Sequence, residues 1–235
     1  MKAIRVREFG GPEQLYIGDW PDPVPHAREV MVKVEATALN RADILQRKGS
    51  YPPPEGESPV MGLEMAGTIV DCGREVHQWK VGDRVCGLLG GGGYAQYVAL
   101  HEDMVMPIPG KLNFLQAAAI PEVFLTAFQA LQWLAELTPG ETVLIHAGAS
   151  GVGTAAIQLA VAMQASALVT ASAAKHSICL ELGAEAAIDY REEEFDERIL
   201  SDHRYEGVEV IVDFVGSPYF QKNLRCLSMD GRLVM

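Results

Sequence analysis

The sequence predicts an α/β chain in two parts: an irregular β-barrel domain over residues 1–121, then a doubly wound parallel-sheet domain over residues 122–235. Three observations predict it. Short strand-like runs at close intervals fill the first part. The texture changes near Pro121. Beyond that point apolar strand runs alternate with helical patterns, as a parallel sheet covered on both faces requires.

In the first part, residues 2–6, 15–17 and 30–38 carry β-branched or alternating patterns between Gly and Pro punctuation. Residues 65–71 and 94–100 read the same way. The Pro-rich stretches 21–25 and 52–54 and the glycines 90–93 are loops. Residues 122–137 read as one amphipathic helix, with Val123, Phe124, Ala127, Leu131 and Leu134 recurring at helical spacing. Strands are then expected at 142–147, 167–172, 187–190, 208–214 and 232–235. Helices at 154–163, 175–182, 191–201 and 218–227 separate them. That makes five strands, whereas such a domain normally carries about six. A last strand ending the chain leaves an uncovered edge, so the chain is expected to be a fragment or a splice product.

Composition narrows the class. Apolar residues make up 49% of the 235, enough for a packed core, and no low-complexity segment or repeat is present. The net charge of −12, from 19 basic and 31 acidic residues, argues against nucleic acid or an anionic membrane as the main partner. Cys72, Cys86, Cys179 and Cys226 are scattered, as buried thiols of a reducing compartment are. No apolar run approaches a membrane span, and a cytoplasmic protein is expected.

The most informative stretch is VLIHAGASGVGTAAIQ, residues 143–158. Gly151, Gly153 and Ala156 satisfy G-x-G-x-x-G/A between a buried strand and a helix. One glycine makes the tight turn, the next lets backbone approach a pyrophosphate, and the small third residue lets helix and strand pack. Ser150, Gly151, Val152 and Gly153 are therefore candidate cofactor-binding residues at a helix N-terminus that attracts phosphate. The bland alternative is a structural turn in another α/β fold. An NAD site places Asp or Glu about 20 residues further on. Here TASAAK, residues 170–175, carries no acid, while Ser172 offers a hydroxyl and Lys175 a positive charge. NADPH is favoured over NADH, against the alternative that Lys175 is a surface lysine.

The order of domains resembles the medium-chain dehydrogenase/reductase superfamily, a GroES-like domain followed by a Rossmann domain. ALNRAD (38–43), GSYPPP (49–54), GLE (62–64), GDR (82–84), GGYAQY (92–97), AAIP (118–121) and TAFQ (126–129) narrow the resemblance to its zinc-free quinone oxidoreductase, or zeta-crystallin-like, branch. It runs along the whole chain. It implies NADPH-dependent reduction of a small-molecule quinone or conjugated carbonyl. It also implies a homodimer for full-length members, which the shortened Rossmann half argues against here. Zinc-dependent relatives carry Cys near position 40 and Gly-His-Glu near 63. This chain has Asn40 and Leu63, so no metal is expected.

By the same resemblance, Asn40 and Tyr51 lie over the nicotinamide and contact substrate. Thr126 meets the cofactor carboxamide, and Tyr190 lies at the adenosine phosphate end. Each has a plainer reading: Asn40 as a turn cap, Tyr51 as loop packing, Tyr190 as a strand-end aromatic. Asp43 and Glu64 are expected to line the core without a catalytic role. A non-catalytic form that binds cofactor weakly is the competing class.

Overall fold

The computed structural model describes residues 1–235 and divides them into two units, Met1–Glu122 and Val123–Met235. In the first, residues of alternating character form β1 (Lys2–Val6), β2 (Leu15–Asp19), β3 (Glu29–Ala36), β4 (Glu64–Cys72), β5 (Arg84–Leu88), β6 (Tyr97–His101) and β7 (Val105–Pro107). On β3, Val30 and Val32 are buried while Lys33 is exposed, the two-residue period of a sheet with one dry face. Five of these strands pair antiparallel in the order β6-β3-β4-β5-β7, and β1 and β2 form a separate two-stranded sheet.

The expected GroES-like barrel is built from these two sheets, which an isolated bridge between Ala3 and Ala95 and the bonds Ile4 N–H to Tyr94 O and Gln96 N–H to Lys2 O join. The three-residue β7 ends at Pro107, which has no N–H to offer a further strand. The strand expected at 94–100 begins only at Tyr97, because Tyr94 gives its N–H to Met61 and its carbonyl to Ile4. Two short helices, α1 (Arg41–Arg47) and α2 (Phe114–Ala118), were not anticipated; seven and five residues are too few to show a helical period.

The second unit opens with α3 (Pro121–Phe128), which begins two residues before the unit boundary. It then alternates β8 (Thr142–Ile145), α4 (Gly151–Ala162), β9 (Ser166–Ala171), α5 (His176–Glu181), β10 (Ala186–Asp189), α6 (Phe195–Leu200), β11 (Val208–Val212), α7 (Phe220–Cys226) and β12 (Leu227–Val234). All five strands are parallel, in the order β10-β9-β8-β11-β12. The central strand shows why the run is apolar throughout. Val143 and Ile145 pack with Ala156, Ile157 and Ala160 of α4 on one face, while Leu144 packs with Phe195, Ile199 and Ile211 on the other. The final strand starts at Leu227, earlier than expected, because a bulge with Asp230 at φ +60° lets both Leu227 and Arg232 pair with β11.

The helix expected over 122–137 is interrupted. After α3 the chain widens into a π-helix, Gln129–Leu134, closed by Ala135 N–H to the Ala130 carbonyl. The wider turn lets Ala130, Leu131 and Ala135 all be buried. Its last carbonyls are met by Arg232, whose Nε donates to Ala135 O at 2.8 Å and whose Nη1 and Nη2 bind both oxygens of Glu141 at 2.8 and 2.7 Å. No helix is long and apolar enough to cross a membrane.

Arg232→Ala removes those bonds from a partly exposed pair, and should cost roughly 1–2 kcal/mol of stability, read as a lowered melting temperature. Arg232 holds the Glu141 carboxyl below its ordinary pKa, so its stabilisation is present above the usual carboxylate range and fades as pH falls through the depressed value. The gap between wild type and variant should accordingly narrow in acid; a gap independent of pH would contradict the pairing.

Candidate functional site

Between β8 and α4 the backbone turns at Ala147, a non-glycine residue at φ +52°. Gly153 then passes so close to this turn that an added Cβ would lie 2.4 Å from the Ala147 carbonyl and 2.6 Å from that of Gly148. Only glycine fits there. Ser150 caps α4, its Oγ accepting the Gly153 N–H at 3.1 Å. That leaves the N–H groups of Gly151 and Val152 with no hydrogen bond to the protein. Two free N–H groups at the start of a twelve-residue helix suit a pyrophosphate. On α3, the Val123 side chain leaves room for no Cβ at Gly151, where an added one would lie 2.9 Å from Val123 Cγ1, and Thr126 follows Val123 by three residues, on the same side of the helix.

The ends of β9 and β10 form a second group. Ser172 begins a short 3-10 turn that contains Lys175, and neither side chain has a partner in the protein. Tyr190 lies one residue beyond β10 and is 44% exposed. The Arg191 guanidinium sits 5.7 Å from the centre of the Tyr190 ring. Asp189 ties the group together: its two oxygens accept the N–H groups of Ala173 and Arg191, each at 3.1 Å. Sequence reasoning missed Arg191, because it opens the charged run 191–194 and reads as part of a solvated face.

In the first unit, Asn40 precedes α1 and points its side-chain Nδ2 at Glu64 Oε1, 2.7 Å away. The other Glu64 oxygen accepts the Glu122 N–H at 2.9 Å. Asp43 accepts the Asn40 backbone N–H at 2.7 Å and the Tyr94 hydroxyl at 2.8 Å, both at Oδ2. Both acids are buried, and Asp43 Oδ1 has no partner. Burial pushes the Glu64 carboxyl above its ordinary pKa against the pull of its two N–H donors, and burial together with Glu64 and Asp43 does the same to Glu122. Desolvation and the bond to Asp43 hold Tyr94 well above the usual phenol range. Asn40 is thus a helix cap whose amide is oriented by a buried acid, and the acids do more than line the core.

Tyr51 lies on a loop and is 44% exposed. With Phe9, Trp20, Gln46 and Met61 it lines a cavity of about 340 Å³, and its hydroxyl has no hydrogen bond to the protein. No hydrogen bond joins Asn40 to Tyr51. No group of three or more His, Cys, Asp or Glu is placed to hold a metal ion.

Over 238 residues the chain is 35% identical to a quinone oxidoreductase of Lama guanicoe, matching all of this chain and 72% of that one. It belongs to the quinone oxidoreductase branch of the medium-chain dehydrogenase/reductase superfamily. Two family models agree, the alcohol dehydrogenase GroES-like domain over residues 26–110 and the zinc-binding dehydrogenase domain over 151–235. The second model is named for zinc, whereas the residues at the two positions where the resemblance implies ligands in zinc-dependent members are Asn40 and Leu63. Among solved structures, the Escherichia coli quinone oxidoreductase complexed with NADPH is 33% identical with a TM-score of 0.89, covering 99% of this chain and 72% of that one. The CurK enoyl reductase is 34% identical with a TM-score of 0.91 at 99% and 72% coverage. Membership of this family makes the chain an oxidoreductase that uses a nicotinamide cofactor on a small-molecule substrate.

Replacing Asn40 by Ala takes away one of the two donors that lower the Glu64 pKa. A carboxyl-carbon NMR titration should show Glu64 moving to still higher pH in Asn40→Ala. An unmoved titration would mean that the amide does not hold this carboxyl.

Proposed function

We propose that the chain is an NADPH-dependent reductase of quinones that works without zinc. The observation that carries the cofactor half is the pair Ser172 and Lys175. Both lie beyond the phosphate turn without protein partners, while the nearby acid, Asp189, has both oxygens taken by backbone N–H groups. A 2′-phosphate needs a cation and a hydroxyl donor and is repelled by a free carboxylate. The quinone half is supported by the relatives, and the Escherichia coli relative was solved with NADPH.

A nicotinamide dinucleotide bound to this turn supplies hydride at the nicotinamide ring. In this reading the protein's part is orientation and charge. Gly151 and Val152 bind the pyrophosphate through their free N–H groups, with Ser150 and Gly153 shaping the turn. Lys175 and Ser172 hold the 2′-phosphate, with Tyr190 at the adenosine end. Thr126 meets the carboxamide. Asn40 and Tyr51 contact the substrate, Asn40 through an amide fixed by Glu64 and Tyr51 through a free hydroxyl. Donors fixed in place before the reaction stabilise negative charge on a substrate oxygen without reorganisation, the work that zinc does in other members. Similarity to the CurK enoyl reductase favours a second reading, reduction of α,β-unsaturated carbonyls at the same site.

Titration with NADPH and NADH tests the cofactor reading. NADPH should bind more tightly, and Lys175→Ala should narrow the preference by roughly tenfold, the effect of about 1.4 kcal/mol. Equal affinities in wild type would overturn it. Turnover of a quinone against an enone then separates the two substrate readings.

A further inference from the structure

His146 is fully buried at the end of β8, one residue before the phosphate turn, and both of its ring nitrogens are engaged. Nε2 lies 2.8 Å from Asn223 Oδ1 on α7, and Nδ1 lies 2.9 Å from Thr170 Oγ1 on β9. The chain of bonds extends beyond both. Asn223 Nδ2 donates to Asp213 Oδ2 at 2.9 Å, and Asp213 Oδ1 accepts the N–H groups of Val215 and Gly216 at 2.7 and 2.9 Å. At the other end Thr170 Oγ1 accepts the N–H of Ala147 at 3.3 Å, and the Thr170 carbonyl accepts that of Gly148 at 3.0 Å.

Counting donors gives the whole chain one direction. Asp213 accepts three hydrogen bonds, so the Asn223 amide must turn its NH₂ toward Asp213 and its oxygen toward His146. The imidazole must then carry its hydrogen on Nε2 and leave Nδ1 bare, which only the Thr170 hydroxyl can fill. That hydroxyl, its hydrogen committed, is left with lone pairs for Ala147. Burial also pushes the His146 pKa down, in keeping with a neutral ring, and Phe195 and Tyr219 pack edge-on at 4.7 Å each.

The place where the chain ends gives it a purpose. Ala147 is the left-handed residue of the turn: its N–H, in the His146–Ala147 peptide, is held by the Thr170 hydroxyl, and its carbonyl, in the next peptide, lies against Gly153, so the conformation at Ala147 sets the shape of the turn. We infer that His146, Thr170, Asn223 and Asp213 form a one-way hydrogen-bond relay that positions the His146–Ala147 peptide and, through the backbone angles of Ala147, the pyrophosphate-binding turn. These are positioning residues, and the inference rests on the dinucleotide reading of that turn. In a buried chain of hydrogen bonds whose directions are fixed by one another, a mismatch at any member reaches the others.

The test uses the full chain and two ligands, NADPH and adenosine 2′-monophosphate, which lacks the pyrophosphate. Thr170→Val keeps the side-chain shape but removes the hydroxyl. It should weaken NADPH roughly tenfold, leave adenosine 2′-monophosphate unchanged, and speed hydrogen exchange at the Ala147 amide. Thr170→Ser should restore both the NADPH affinity and the slow exchange. If Thr170→Val fails to fold, Asn223→Asp carries the same test: it keeps the shape but sets a carboxyl against Asp213, and should weaken NADPH alone. Unchanged NADPH affinity, or equal weakening of both ligands, would overturn the relay while wild-type binding still upheld the cofactor reading. Wild type that binds neither ligand would remove that reading and the inference with it.

Discussion

Gly153 approaches the carbonyls of Ala147 and Gly148 more closely than any side chain permits, and this contact fixes where α4 begins relative to β8. The helix start, the exposed pair of N–H groups and the left-handed turn at Ala147 all follow from it. A methyl group at this one position would collide with those carbonyls and force the helix off the turn. The surrounding sheet, with Val143, Leu144 and Ile145 buried on both faces, holds the turn against movement.

Both units use buried polar groups in the same manner. In the first, Glu64 receives N–H groups from Asn40 and Glu122, and Asp43 receives the Asn40 N–H and the Tyr94 hydroxyl. In the second, Asp213 anchors a series of bonds that ends at Ala147. Each acid orients a neighbour through hydrogen bonds, and each would be costly to bury without its donors. The unpartnered Asp43 Oδ1 and the raised pKa of Glu64 show how near the first cluster lies to that cost.

Legibility in the sequence followed the range of the interactions. The parallel sheet could be read because strands buried on both faces must be apolar throughout, and the glycine turn because its steric demand falls on adjacent residues. Ser172 and Lys175 became candidates through the absence of an acid at a known spacing. Helices α1 and α2 were too short to show a period, and the π-helix depended on Arg232, 97 residues from the carbonyl it meets. Tyr94 reaches Asp43 across 51 residues, and His146 reaches Asn223 across 77. No local pattern marks such pairs. Asn40 was visible as a candidate, but the carboxyl that orients it became evident only from the fold.

Hydrogen exchange of the full chain with and without NADPH, resolved by residue, tests the central claim most directly: that the turn after β8 and the groups after β9 bind this cofactor. The account predicts slower exchange at Gly151 and Val152, whose N–H groups lack protein partners, and through residues 172–175. Protection confined to other segments, or none at saturating NADPH, would contradict it.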